Sequence, residues 1–186
     1  MHVKNIRLTI AYDGTNYLGW QNTKMGPSIE STLESTLSRI LQEQVILQAA
    51  SRTDAGVHAN GQVVNFMMSK ERPSLEQLHI SLNCLLPKDI VVLDVSLAND
   101  SFHPTLECQS KEYHYSICFG SVQLPQLRLY SWHYPHHLDI DKMRHPAKEL
   151  IGLHDFSAFC NFKKNANYDH YMRHVYAINI VEVDKD

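Results

Sequence analysis

The sequence predicts an α+β fold, and three patterns carry that expectation. Residues Ile6, Leu8, Ile10 and Tyr12 alternate with more polar neighbours, the period-two signature of a strand with one buried face. Residues Ile29, Leu33, Leu37, Ile40 and Leu41 share one stripe at helical spacing, as an amphipathic helix requires. The order of such segments through the first half is strand, helix, strand, strand, helix, strand, which is the split β-α-β or ferredoxin-like unit.

Each element follows in turn. The first strand is broken at Asp13-Gly14-Thr15-Asn16, a run of turn formers. Ser28 after Pro27 is placed to cap the first helix, its hydroxyl accepting from a first-turn N–H. Val45 to Ala50 reads as a short strand and Gln62 to Met68 as a longer one, rich in Val and Phe. Ser74 caps a second helix with Leu75, Leu78, Leu82 and Leu85 on one side, Pro87 ends it, and Asp89 to Leu97 alternates as a further strand. The unit is then complete, giving an expected first domain over 1–97.

Residues 98–186 begin the pattern again. A strand is expected along Tyr113, Tyr115, Ile117 and Phe119, a helix from Asp139 to Ile151, and a closing strand from Arg173 to Val183. This is one β-α-β half of a second unit, so the second domain is expected to be incomplete. Pro146 inside the helix removes a backbone donor and is expected to kink or break it.

Composition narrows the function classes. Of 186 residues, 44% are hydrophobic and 20% charged, values of an ordinary water-soluble domain. No apolar run reaches the length of a transmembrane helix, and the N-terminal residues enter a strand pattern without a signal peptide. The four cysteines, Cys84, Cys108, Cys118 and Cys160, form no CxxC pair, so reduced thiols and a cytoplasmic location are expected. The net charge of −3 counts mildly against nucleic-acid binding, although local basic patches can still hold phosphate.

Chemistry concentrates in Ser51-Arg52-Thr53-Asp54-Ala55-Gly56-Val57-His58-Ala59, a polar loop between two strands. Residue types alone make Asp54 an Asx-turn aspartate and Arg52 solvated surface. An adjacent cation would favour the ionised form of Asp54, and Gly56 would admit a close approach by another backbone or a ligand.

That loop, with Tyr12-Asp13-Gly14-Thr15-Asn16-Tyr17-Leu18-Gly19-Trp20-Gln21, resembles the two N-terminal signatures of the TruA-type tRNA pseudouridine synthases. Further segments match in the same order, among them Ser28-Ile29-Glu30-Ser31-Thr32-Leu33-Glu34, Gly61-Gln62-Val63-Val64-Asn65-Phe66, Lys111-Glu112-Tyr113-His114-Tyr115 and Gly152-Leu153-His154-Asp155-Phe156-Ser157. The resemblance implies a pseudouridine synthase fold and the isomerisation of uridine to pseudouridine in the anticodon stem-loop of tRNAs. By the same resemblance Asp54 is the catalytic nucleophile, Tyr113 stacks on the target uracil, and Arg52 helps to hold the flipped nucleotide. A homodimer acting on tRNA is implied as well.

The chemistry suits those residue types. The bond from N1 to C1′ is broken, the ring turns, and C5 is joined to C1′, so no atom is gained or lost and no metal or cofactor is required. One carboxylate can attack C1′ of the ribose or C6 of the base, and a base taken out of its stack calls for an aromatic face and a cation.

Three departures from the family pattern stand out. Ser51 replaces the usual glycine, which would cost energy if that position needed a positive φ. Pro104-Thr105 follows Phe102-His103 where the family commonly has Ala-Arg. Family members also continue into a Met-Val-Arg segment whose arginine pairs with the aspartate, and from its place beyond Asp186 a weakly active or inactive chain is expected.

Other readings carry less. Cys160 with His170 and His174, and the run Trp132-His133-Tyr134-Pro135-His136-His137, lack the second ligand pair of a zinc site. Lys163-Lys164 reads as a solvated loop with a phosphate contact as its alternative. His58 is expected to pack the loop, Asp13 to cap locally, and Tyr12 to lie in the core. A non-catalytic RNA-binding module of ferredoxin-like fold is the rival class, and it would have no need of Asp54.

Overall fold

The computed structural model describes residues 3–160 and 170–183. The chain divides into two compact units, Met1–Tyr113 and His114–Asp186.

The first unit holds the core. Strand β1 (Lys4–Tyr12) is followed by helix α1 (Ile29–Leu41), β2 (Gln48–Ala49), β3 (Ala59–Met68), α2 (Leu75–Leu85) and β4 (Ile90–Leu97). The four strands form one sheet in the order β2-β3-β1-β4, every neighbouring pair antiparallel. Alternation puts Ile6, Leu8, Ile10 and Tyr12 on the face that meets Val64, Phe66, Ile90 and Val92, all buried. The helices close over that face with Ile29, Leu33, Leu37, Leu41, Leu78 and Leu82, each at most 1% exposed. Burying side chains of this size stabilises by about 1.5–3 kcal/mol each before the entropy of ordering is subtracted.

Both helices begin where the sequence places them. The Ser28 hydroxyl accepts from Ser31 N–H at 3.2 Å and that of Ser74 from Gln77 N–H at 3.2 Å, each as part of a reciprocal capping box. Helix α1 stops at Gln42, whose φ of 52° takes the chain into the left-handed region. The expected strand over Val45–Ala50 shrinks to Gln48–Ala49, which pair with Asn65 and Val64 of β3, while Ala50 adds one further N–H bond to the Val63 carbonyl at 2.9 Å. A buried amide pair then ties the chain beyond β4 to the sheet. Asn65 Nδ2 donates to Asn5 Oδ1 at 2.8 Å, and Asn5 Nδ2 donates to the carbonyls of Asn99 and Phe102 at 3.0 Å each.

The second unit contains β5 (Ile117–Phe119), β6 (Trp132–Tyr134), α3 (Ile140–Glu149), β7 (Gly152–Asp155) and β8 (Met172–Val175). Strands β5 and β6 pair in parallel, β7 and β8 antiparallel. Several expectations are corrected here. The strand read from Tyr113 begins only at Ile117, because β6 offers three partner positions and leaves Tyr113 and Tyr115 exposed. The closing strand is Met172–Val175 rather than Arg173–Val183, since β7 supplies only four pairing residues. Strands β6 and β7 were not expected at all. Helix α3 is not broken at Pro146 and runs on to Glu149. The carbonyl of Lys142, which loses its i+4 donor, belongs to an exposed residue and stays open to water. Lys163-Lys164 lies outside the described residues.

One titrating group in the first unit couples stability to pH. Glu34 Oε1 accepts from Leu47 N–H at 3.0 Å, yet burial, reinforced by the charge of Glu30, raises its carboxyl pKa despite that hydrogen bond. A carboxyl raised on folding contributes stability that is present below its unfolded pKa and lost as pH climbs through the folded value. Glu34→Gln keeps an acceptor without the charge, so its urea midpoint should exceed that of the unmodified chain at pH 7 and converge with it near pH 4. Equal midpoints at pH 7 would exclude a strained carboxylate at this position.

Candidate active site

Two loops leave the sheet at the same end. Strand β1 finishes at Tyr12 and β3 starts at Ala59, and these two residues are paired across a local register shift, as bulges at strand ends often re-aim a loop. The segment after β1 (13–20) and the segment before β3 (51–58) therefore emerge side by side.

Backbone hydrogen bonds lock them together. Trp20 N–H donates to the Thr53 carbonyl at 2.9 Å and Gly56 N–H to the Tyr17 carbonyl at 3.2 Å. Residues 17–20 thus run antiparallel to 53–56, with Leu18 and Gly19 opposite Ala55 and Asp54. Val57 N–H donates back to the Asp54 carbonyl at 3.1 Å, closing a tight turn around the aspartate.

The side chains below this turn are buried aromatics. Tyr12, Tyr17 and Trp20 are 4%, 7% and 2% exposed. The Tyr12 hydroxyl lies 2.8 Å from Thr53 Oγ1, and the Tyr17 hydroxyl donates to Asp89 Oδ1 at 2.7 Å. Burial raises the pKa of Tyr12, against the hydrogen bonds of Thr53 and Gln62 that lower it. Burial first, then the hydrogen bond and charge of Asp89, raise that of Tyr17. Both phenols stay protonated at neutral pH and serve as fixed struts. Gln62 Nε2 donates to the Ser51 carbonyl in a short contact that holds the start of the loop.

Close approach is the work of Gly14 and Gly19. A Cβ on Gly14 would stand 2.0 Å from the Val57 carbonyl oxygen, and one on Gly19 would stand 2.6 Å from that of Thr53. Gly56 plays another part: nothing lies within 4 Å of its would-be Cβ, and its φ of +78° is what calls for glycine. Ser51 needs no such freedom, because Gln42 is the one described non-glycine residue with positive φ. The serine therefore costs the loop nothing on that account.

On this support sit the expected site residues. Asp54 and Arg52 are both exposed, and among the described residues neither side chain has an ion-pair or hydrogen-bond partner, so Arg52 does not pair with Asp54 here. Tyr113 is 79% exposed in an irregular segment, and among the described residues no hydrogen bond or ring contact ties it to the loop. Asp13 caps the short turn after β1, its Oδ1 accepting from Thr15 N–H at 3.0 Å. His58 Nδ1 lies 3.0 Å from that oxygen and 3.2 Å from Gly14 N. One nitrogen cannot donate and accept at once, and the shorter, charge-assisted contact favours Nδ1–H donating to Asp13. His58 therefore braces the loop from the side.

The comparisons decide the family. The family model described as tRNA pseudouridine synthase matches residues 8–105, which includes both loops. This chain belongs to the tRNA pseudouridine synthase family. It is 54% identical over 178 residues to tRNA pseudouridine synthase A 2 of Protochlamydia amoebophila, covering 96% of this chain and 68% of that relative. It is 42% identical over 157 residues to tRNA pseudouridine synthase A of Thermoanaerobacter sp. strain X514, covering 84% and 64%. The relative of the same name from Thermotoga sp. strain RQ2 is 36% identical over 184 residues, covering 99% and 74%. The chain thus spans about two thirds of the length of these curated relatives. Arg52 and Asp54 lie inside the family-matched region and Tyr113 beyond its end.

Sequence reasoning missed the support beneath the loop. Thr53 stands unremarked between Arg52 and Asp54, Gly14 reads only as a turn former and Gly19 only as part of the signature. Two glycines spaced about a buried aromatic pair were the available signal. Gly14→Ala should lower stability by about 1–3 kcal/mol, the cost of forcing a methyl against fixed backbone, measured by urea unfolding. Gly56→Ala, with open space around it, should lose only the φ penalty of about 1–2 kcal/mol. A Gly14→Ala protein as stable as its parent would refute the tight approach at Val57.

Proposed function

We propose that this chain isomerises uridine to pseudouridine in tRNA, with Asp54 as the nucleophile. The observation that carries the reading is an exposed carboxylate, unpaired among the described residues, on a turn held from below by Tyr12, Tyr17 and Trp20, within a region matched by the tRNA pseudouridine synthase model. The relatives are named as tRNA pseudouridine synthases, which supports tRNA as the substrate; the anticodon stem-loop is the site we infer within it.

In this reading the carboxylate bonds to C1′ or C6, the glycosidic bond from N1 opens, the uracil turns and C5 takes up the bond to C1′; the bond to the carboxylate breaks again, C5 loses its proton to solvent and N1 gains one. Every heavy atom of the substrate is retained. Arg52, next but one to the nucleophile and exposed, is assigned to holding the flipped nucleotide. Tyr113 is assigned to stacking on the uracil, for which its exposed ring is available.

The first unit is read as ferredoxin-like over 1–97, supported by its element order and by β1 lying between β3 and β4. Residues 98–186 are read as the start of a second unit. Assembly as a homodimer and a cytoplasmic location belong to the same proposal. No helix among the described residues is long and apolar enough to cross a membrane.

Asp54→Asn and Asp54→Ala separate enzyme from binding module. Tritium release from C5-labelled uridine in a tRNA transcript should fall by at least about four orders of magnitude in either variant, the loss typical of a missing nucleophile, with tRNA affinity retained. Unchanged turnover in both variants would overturn Asp54 as nucleophile. A parent chain that binds tRNA with no turnover, equally in the Asp54 variants, would favour the non-catalytic module.

A further inference from the structure

The turn that carries Asp54 is held on both flanks, and the two holds differ in kind. Before the turn, Thr53 is fixed by the Trp20 N–H and the Tyr12 hydroxyl, both reaching out from buried residues. After the turn the hold is polar and partly open to water. His58 Nδ1 lies 3.0 Å from Asp13 Oδ1, with side chains 31% and 33% exposed.

Asp13 is itself a fixed anchor. Its Oδ1 accepts from the Thr15 N–H at 3.0 Å and from the Thr15 hydroxyl at 2.6 Å, and its own N–H donates to the Asp89 carbonyl at 2.9 Å. The next residue, Gly14, presses on the other member of the pair, since a Cβ there would stand 2.0 Å from the Val57 carbonyl oxygen. Residues 13 and 14 therefore grip 57 and 58 through side chain and backbone together. Val57 N–H in turn donates to the Asp54 carbonyl at 3.1 Å. What fixes residues 57 and 58 thus fixes the backbone of Asp54 from the side opposite Thr53.

A partly exposed contact of this kind adds little to the stability of a fold. Its value lies in geometry. Attack on C1′ or C6 needs the carboxylate placed within a fraction of an ångström, and a displacement of about 1 Å can cost about a hundredfold in rate. We propose that His58, seated on Asp13, is a positioning residue for Asp54. Its Nδ1–H holds the exit of the turn, and the ring transfers no proton in the reaction. This rests on the catalytic reading of Asp54 above.

The test compares His58→Ala, His58→Asn and His58→Gln in the full chain, each first shown folded by circular dichroism. Exchange of the Val57 amide proton, followed by NMR without RNA, reads the turn itself. It should quicken by up to about tenfold in His58→Ala, the equivalent of one net hydrogen bond. In tritium release from the tRNA transcript, His58→Ala should lose about 10- to 100-fold in kcat while KM stays within about twofold. His58→Asn sets an amide nitrogen where the imidazole has Nδ1 and should bring both readouts back to within about threefold of the parent. His58→Gln, one methylene longer, should not. The kcat of His58→Asn should also follow the pH profile of the parent from about pH 6 to pH 9, since an amide does not titrate there.

A parent-like kcat or Val57 exchange rate in His58→Ala would overturn the positioning role. So would a His58→Asn chain as slow as His58→Ala, or one whose pH profile loses a limb that the parent shows. Failure of the catalytic reading looks different: turnover is absent or insensitive to Asp54 while Val57 exchange still follows residue 58. That outcome would overturn the positioning role as well and leave the clamp a purely structural one.

Discussion

The site hangs on Thr53. Its carbonyl takes the Trp20 N–H and its hydroxyl meets the Tyr12 phenol, so one residue is held through backbone and side chain by two buried aromatics. Asp54 follows it directly, its own carbonyl taking the Val57 N–H. A loop that must present a charged group to solvent cannot gain rigidity by packing that group, because burying an unpaired carboxylate is far too costly. Rigidity has to come from the neighbouring residue, and it does. Each net hydrogen bond contributes only about 0.5–1.5 kcal/mol, but several acting on adjacent residues leave the turn one conformation.

That arrangement explains why glycines cluster in the first of the two loops. Residues 17–20 must run flush against 53–56 to make the Trp20 and Gly56 bonds, and any side chain at Gly14 or Gly19 would hold the backbones apart. The cost is entropic and falls on the unfolded chain, which gains freedom at each glycine. The capped helices and the apolar face of the sheet offset it. Tyr17 shows the coupling directly. Its carbonyl holds Gly56 in the site loop while its hydroxyl reaches Asp89 in the turn just before β4, so the two loops and that turn share one residue.

The first unit was legible because its signals are local and agree with one another. Ser28 and Ser74 announce helix starts, Ile29, Leu33, Leu37 and Leu41 fix the buried face of α1, and alternation in β1 fixes which residues face it. The short β2 and the clamp on Thr53 were not legible, since both depend on partners far along the chain. Val45 to Ala50 has strand composition throughout, but β3 offers partners only to its last residues, Gln48 to Ala50. In the second unit the same logic runs against the reader. Alternation at Tyr113 and Tyr115 continues smoothly into Ile117 and Phe119, yet pairing begins only where Trp132–Tyr134 can meet it. Pattern reports which face a strand would bury, whereas pairing decides whether there is a strand.

The same distinction separates the roles within the candidate site. A nucleophilic carboxylate needs little from the sequence around it except exposure, and exposed aspartates in turns are common, so residue type alone argued for an ordinary turn. What sets Asp54 apart is that so much buried structure converges on an exposed residue. Tyr12 and Tyr17 are core residues by burial, yet the Tyr12 hydroxyl meets Thr53 in the site loop and the Tyr17 hydroxyl reaches Asp89 rather than finishing in the hydrophobic interior. A fold under pressure for stability alone would gain more by filling those positions with leucine and leaving the loop free. Preorganising a charged group in water costs folding free energy and returns it only when a substrate arrives. Those two hydroxyls therefore brace the turn that, in the proposed reading, presents the catalytic carboxylate.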